Sequence, residues 1–200
     1  MDTTSRERLP ALPLDALTQE QRRAAEELIA GPRGGVIGPF AVLLRSPELM
    51  EHAQRMGEYL RYRSAIGTRL SELVILLIAR YWSQQVEWTI HAPIAAKAGI
   101  AEETIASIAA GRRPATLSDD EALVYDFCFE LNVNQDVADS TFDCALARFG
   151  EHGVVDLMGL NGYYTLLAMA MNGARTSPGR SDAESVPPLS PLPPRAWFAG

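Results

Sequence analysis

The sequence predicts an all-α protein with a single helical domain and proline-rich tails. Alanine and leucine, two of the strongest helix formers, are abundant in the chain. Helix-start and helix-stop signals follow one another along it, and no convincing alternating pattern of β-strands is present. With 200 residues, 47% of them hydrophobic, the chain can bury a core without disulfide bonds.

The helical domain is expected to cover residues 18–175. An extended, proline-rich arm precedes it over residues 1–17. Thr18 opens a Thr-Gln-Glu-Gln capping box, which predicts a helix to about Ala30. The glycine-rich segment 31–40 lacks the Gly-Lys-Ser/Thr ending of a phosphate-binding loop, so it predicts a tight loop that could border a pocket.

Further helices are predicted between this loop and the C-terminal tail. Ser46-Pro47 combines a cap residue with a proline at the first helical position. A long helical segment restarts at Thr68 or Ser71, and its only expected interruption is a break or kink at Pro93. The predicted helices after the loop cover residues 47–65, 68–98, 101–110, 118–132, 140–150 and 151–172.

The C-terminal tail, residues 176–200, is rich in proline and serine and predicts neither a helix nor a central strand. It ends in Arg-Ala-Trp-Phe-Ala-Gly, and Trp197 and Phe198 favour burial. We therefore expect the tail to dock on its own protomer or on a neighbouring one.

Charge and cysteine content exclude several function classes. The net charge of −7 disfavours nucleic-acid binding, and Arg61, Arg63 and Arg69 are interpreted as a solvated helix end. The first residues lack the apolar core of a signal peptide, and no apolar run has the length of a membrane span. We expect a cytoplasmic protein with no membrane partner. Cys128 and Cys144 match neither a redox CxxC motif nor a zinc site.

A polar stripe marks the candidate site. Arg80, Gln84, Glu87 and His91 are spaced four, three and four residues apart, which would place them on one face of a continuous helix. Glu87 can orient His91 and favour its protonated ring, which makes the two a workable general acid/base pair. Arg80 could hold a substrate carboxylate. Glu72, in an otherwise apolar run, is a second candidate acid.

Two alternative interpretations of the stripe remain open. Its members could simply pair with one another as an internal ion-pair ladder. A metal bound by Glu72, Glu87 and His91 is also conceivable, although such a site would contain a single histidine. We expect no metal and no cofactor.

The run from Glu72 through Glu87-Trp-Thr-Ile-His91 to Gly99 resembles the core motif of the carboxymuconolactone decarboxylase family, which shares a helical fold with the alkyl hydroperoxidase D proteins. The segments 38–49 and 161–165 also resemble longer members, so the likeness covers about residues 30–173. Where the redox branch carries its two cysteines, this chain has Gln84 and Glu87. A CxxC peroxidase reaction is therefore excluded, because no thiolate can form there.

The resemblance implies a helical-hairpin core and a homo-oligomer, a trimer or a hexamer. It implies a cofactor-independent lyase acting on a small carboxylated lactone or a related intermediate of aromatic-compound degradation. His91 would donate the proton, Glu87 would orient it, and Glu72 would act as a second acid/base. Arg80 and Gln84 would bind the substrate, and Tyr163 and Tyr164 are pocket candidates or ordinary core residues. The alternative is a non-catalytic member that binds a small ligand or serves as an oligomeric scaffold.

Overall fold

The chain forms an all-α fold, as predicted. A computed structural model describes residues 6–31, 34–178, 186 and 188–190, and within these residues no strand is present. The helices are α1 (Gln19–Ala30), α2 (Pro39–Leu43), α3 (Pro47–Tyr62), α4 (Gly67–Tyr81), α5 (Gln85–Lys97), α6 (Glu102–Ala109), α7 (Asp119–Val133) and α8 (Asp139–Ala174), with a 3-10 turn at Leu14–Ala16.

Helix α4 is the centre of the core. Every residue from Leu70 to Arg80 is buried, because α3, α5, α6, α7 and α8 all pack against this helix. An apolar residue fully buried in this way contributes about 1.5–3 kcal/mol relative to its exposed state. Glu72 and Arg80 are carried into the same core, and burial of their charged groups therefore requires compensating partners.

The capping box predicted at Thr18 is confirmed, and Ser118 forms a second one. The Thr18 side chain accepts a hydrogen bond from the Gln21 N–H, and the Gln21 side chain accepts one from the Thr18 N–H. Ser118 and Glu121 make the same reciprocal pair at the start of α7. These contacts satisfy N–H groups that a helix start leaves unpaired.

The predicted continuous helix over 68–98 is wrong, because the chain breaks at 82–84. Ser83 has a positive φ of 46°, and the Gln84 Oε1 accepts hydrogen bonds from the Val86 and Glu87 N–H groups at 2.6 and 3.2 Å. Gln84 thereby caps a new helix.

Pro93, the expected break, lies inside α5, which continues to Lys97. Proline removes only one backbone bond there, and packing on α4 and α6 retains the helix.

Smaller differences lie in the loops. The short helix α2 begins at the end of the glycine-rich segment, directly after Gly38, which has a φ of 57°. The last two predicted helices are joined in α8, but the predicted boundary is correct, since Gly150 has a non-helical φ of 67°. By length and composition, α8 could cross a membrane, although 56% of its most apolar window is buried inside the protein.

The tail docks on its own chain where the structure describes it. Leu189 is 8% exposed, and its N–H donates to the Gln85 Oε1 at 2.9 Å. The Ser190 carbonyl accepts a bond from Arg80 Nη2 at 2.8 Å. Trp197 and Phe198, which motivated the docking prediction, lie outside the described residues.

Candidate active site

His91 lies between two carboxylates. Its Nδ1 is 2.7 Å from the Glu72 Oε2, and its Nε2 is 3.3 Å from the Glu87 Oε2. Glu72 comes from α4, whereas Glu87 lies one turn before His91 on α5, and the short connection between these helices brings the three side chains together. All three residues are at most 3% exposed. The shorter of the two contacts is the one to Glu72, which is nineteen positions away from His91 in sequence.

The two carboxylates favour the protonated imidazole. Burial alone lowers the pKa of His91, but the hydrogen bonds and charges of Glu72 and Glu87 more than offset it, and the pKa is raised above its ordinary value. The site therefore holds an acidic proton on a ring whose positive charge is matched by neighbouring negative charge.

Arg61, from the C-terminal end of α3, adds a second cation. Its Nε lies 3.6 Å from the Glu72 Oε1, an oxygen with no hydrogen-bond partner among the described residues. The Arg61 side chain is 15% exposed, so it is neither sealed in the core nor free in solvent. Glu72 thus lies between a guanidinium and an imidazole.

Tyr164, on α8, is the fifth polar residue of the site. Its ring packs edge-on against the His91 ring with centroids 5.5 Å apart, and the Tyr163 ring packs edge-on against Tyr164 at 5.2 Å. Burial, followed by the nearby Glu87 charge, raises the pKa of Tyr164 well above its ordinary value. Its phenol is therefore neutral near pH 7 and keeps a proton to donate in a hydrogen bond.

A cavity of about 260 Å³ opens beside His91. Ile37 and Tyr62 lie on its wall and are also exposed at the protein surface, so the cavity is reachable from solvent. The residues that line it are Ile37, Pro39, Phe40, Arg61, Tyr62, Glu87, Ile90, His91, Tyr164 and Leu167. The glycine-rich segment thus borders a pocket, as its sequence suggested.

The structure separates the predicted site residues into two groups. His91, Glu87 and Tyr164 line the cavity, and Glu72 contacts His91 from behind. Arg80, Gln84 and Tyr163 do not line it. The predicted single stripe is wrong because the break at 82–84 leaves Arg80 on α4 and gives Gln84 a capping role, with its Nε2 donating to Asn172.

Arg61 is the cavity residue that sequence reasoning missed. It belongs to the basic run that was interpreted as a solvated helix end. Its proximity to Glu72 depends on how α3 packs against α4, and no spacing in the sequence encodes that packing. The sequence contained one indirect signal for this contact. A carboxylate in an apolar run, such as Glu72, requires a cation from another part of the chain, and Arg61 is such a cation.

Neither cysteine is near this site. Cys128 is buried on α7, and burial raises its pKa to about 12, partly opposed by a hydrogen bond from Asn161. Cys144 is exposed on α8. Within the part of the chain that the structure describes, no three His, Cys, Asp or Glu side chains are arranged to hold a metal ion.

Comparison with known proteins gives structural neighbours only. No protein-family model and no curated protein matches the sequence. An uncharacterized peroxidase-related protein from Ralstonia eutropha, solved as an alkylhydroperoxidase AhpD core, superposes with a TM-score of 0.73 at 15% identity, over 88% of this chain and 94% of that one.

Two further solved structures agree. An uncharacterized peroxidase-related protein from a Silicibacter species gives a TM-score of 0.70 at 13% identity, over 90% of this chain and 97% of that one. A protein of unknown function from Agrobacterium tumefaciens that carries the AhpD name gives 0.60 at 15% identity, over 68% of this chain and 94% of that one. At these identities the likeness establishes the fold.

Proposed function

We propose that this chain, which has the AhpD-like fold, is a cofactor-independent lyase that removes CO2 from a small carboxylated lactone of the kind formed in aromatic-compound degradation. The AhpD-like fold makes an enzyme plausible, and the peroxidase chemistry of a CxxC motif requires thiols that this cavity does not contain.

One observation carries the proposal: His91, held between the Glu72 and Glu87 carboxylates, lies on the wall of a small cavity that solvent can reach. A general acid must lie within reach of the atom that it protonates, and a scaffold residue would have no need of such a cavity. The volume of about 260 Å³ is below the roughly 300–1,000 Å³ of sites for drug-sized ligands, which favours a single small ring as substrate.

Arg61 replaces Arg80 as the group expected to bind the substrate carboxylate. It lines the same cavity as His91, and its contact with Glu72 is long enough, at 3.6 Å, to leave donors for a ligand. A guanidinium can grip a carboxylate with two parallel hydrogen bonds, which fixes orientation as well as charge. The substrate would therefore be an acid that keeps one carboxylate through the reaction.

The proposed reaction is a decarboxylation followed by protonation at carbon. The bond from ring carbon to carboxyl carbon breaks, and CO2 leaves without its electron pair. That pair spreads through the conjugated ring to the lactone carbonyl. A proton from His91 Nε2, which faces Glu87, is delivered to the ring carbon next to the lactone carbonyl, which leaves a carbon–carbon double bond at the carbon that lost the carboxylate. Before transfer, Glu72 stabilises the positive charge of the His91 imidazolium. The neutral Tyr164 phenol can donate a hydrogen bond to the developing negative charge.

The partner and location assignments belong to the same proposal. We infer a homo-oligomer, a trimer or hexamer, acting in the cytoplasm on a small molecule, with no nucleic-acid or membrane partner. The acidic net charge of −7 supports the absence of nucleic-acid binding.

The test uses 4-carboxymuconolactone as the probe substrate. CO2 release and the proton NMR spectrum of the product are followed in D2O, where deuterium should appear on the ring carbon next to the lactone carbonyl. His91→Gln should lower turnover by about 10²–10⁴-fold, the usual contribution of a general acid. His52→Gln, an exposed histidine outside the cavity, is the matched control.

Two results would reject the proposal. One is turnover that His91→Gln leaves unchanged. The other is saturable binding of the lactone, seen by calorimetry, without any product, which would identify a ligand-binding protein instead of a lyase.

A further inference from the structure

A second and larger cavity lies on another face of α5. Its volume is about 650 Å³, and its exposed lining is mostly apolar. Trp88 and Ala92 line it, whereas their neighbours Glu87 and His91 line the first cavity. Helix α6 and the residue after it form the opposite wall, which consists of Glu102, Ile105, Ala106, Ala109 and Ala110. The two cavities share no lining residue.

The docked tail covers one side of this second cavity. Val186, Pro188, Leu189 and Ser190 all line it. Two hydrogen bonds attach these residues to the helices, one from the Leu189 N–H to Gln85 and one from Arg80 to the Ser190 carbonyl. A cover attached by few polar contacts can be displaced at low cost, since a hydrogen bond that is lost to the protein is largely replaced by one to water.

Arg80, which holds this cover, is a buried cation without a counter-ion in the described part of the chain. It is 1% exposed, and burial lowers its pKa. Its Nη2 donates to the Ser190 carbonyl, but its Nε and Nη1 have no hydrogen-bond partner among the described residues. An unpaired buried charge is costly, so the position favours a bound anion.

We propose that this crevice between α5, α6 and the C-terminal segment is a second ligand site, specific for apolar carboxylic acids, in which the Arg80 guanidinium is the cation that binds the carboxylate. The apolar part of the ligand occupies the cavity beside Trp88. Its carboxylate displaces the Ser190 carbonyl and takes the donors of the Arg80 guanidinium. Val186 and residues 188–190 then act as a movable cover.

This inference does not depend on the proposed lyase activity. Arg61 lines the first cavity, whereas Arg80 lies behind the second one and contacts its lining through the Ser190 carbonyl. The second site requires only charge and shape complementarity. A ligand at the second site would replace a neutral carbonyl with a carboxylate on Arg80, and charge-assisted hydrogen bonds are the stronger kind.

The experiment is a calorimetric titration of the full chain with decanoate below its micelle concentration, with decanol as the neutral match. Decanoate should bind once per chain and at least about tenfold more tightly than decanol, because only the acid can pair with Arg80. Arg80→Gln should weaken decanoate binding at least about tenfold and leave decanol nearly unchanged.

Three further variants make the result decisive. Ala106→Phe fills the cavity from α6 and should abolish binding, so it decides the matter even if Arg80→Gln fails to fold. Ala147→Phe, at an exposed alanine outside the cavity, is its matched control. Arg61→Gln should leave decanoate binding unchanged. Equal binding of acid and alcohol, no detectable binding, or loss of binding with Arg61→Gln alone would overturn the proposal.

Discussion

The Nδ1 of His91 lies 2.7 Å from the Glu72 Oε2, a contact between two helices that buries both groups almost completely. Since this carboxylate is one of two that raise the pKa of His91, Glu72→Gln should lower that pKa relative to wild type. Titration of the His91 ring protons by NMR measures the change. The exposed His52 gives an internal control in the same spectra, and an unmoved His91 titration would contradict the assigned role of Glu72.

The stability of the fold should depend on the His91 proton. A histidine whose pKa is raised on folding stabilises the folded state. This contribution is fully present below the pKa of the unfolded chain, about 6.5, and is lost as pH rises through the pKa of the folded state. The difference in unfolding free energy between wild type and His91→Gln should therefore be larger at pH 6 than at pH 9.5. Urea unfolding at both pH values tests this. A difference that grows with pH would contradict a raised pKa for His91 in the folded state.

Arg61 should determine substrate affinity. Arg61→Gln removes a charged hydrogen bond and should raise KM for the carboxylated substrate by about 10- to 100-fold, with a smaller change in kcat. The control is Arg63→Gln, whose side chain is 65% exposed and contacts Glu58 and the face of Tyr59. A KM that rises equally for a methyl ester of the substrate would show that Arg61 acts on structure and not on the carboxylate.

The two cysteines should differ sharply in reactivity. Burial raises the pKa of Cys128 to about 12, so almost no thiolate exists at pH 8, whereas Cys144 is exposed. A chromogenic disulfide reagent should modify one thiol per native chain rapidly and both thiols in denaturant. Cys144→Ser should remove the rapid phase. Rapid modification of two thiols in the native protein would contradict the burial of Cys128.

Gly150 should be required where α8 changes direction. Its φ of 67° is unfavourable for any residue with a side chain, so Gly150→Ala should destabilise the fold by about 1–2 kcal/mol. Gly162→Ala is the matched control, because Gly162 is exposed, has an ordinary φ and has open space at its Cβ. That change should stabilise the helix by about 0.5–1 kcal/mol. Equal effects in denaturant unfolding would show that Gly150 is not strained.

The sequence predicted most helices because their signals are local. Thr18 and Ser118 each carry, within four residues, the whole pattern that starts a helix. Glu87 and His91 were paired correctly for the same reason, since both lie on one helix. The break at 82–84 was missed because the 4-3-4 spacing continues through it, and nothing in that spacing shows that Gln84 caps a new helix.

The remaining errors concern contacts through space. Arg80 was placed near His91 by helical spacing, but the break directs it to the tail, and Arg61 takes its place from a helix that precedes α4. Glu72 was suspected from the cost of burying a lone carboxylate, and that physical argument succeeded where spacing failed. The function of every one of these residues remains a prediction.

The cavity beside His91 has one consequence for the conditions in which the protein can work. Its described lining offers carboxylate, imidazole, guanidinium and phenol groups but no sulfur atom. Peroxides and thiol-blocking reagents, which inactivate enzymes that depend on a cysteine, therefore find no target in it. A fold that also occurs in peroxidase-related proteins therefore encloses, in this chain, a cavity with no thiol to oxidise among its described lining residues.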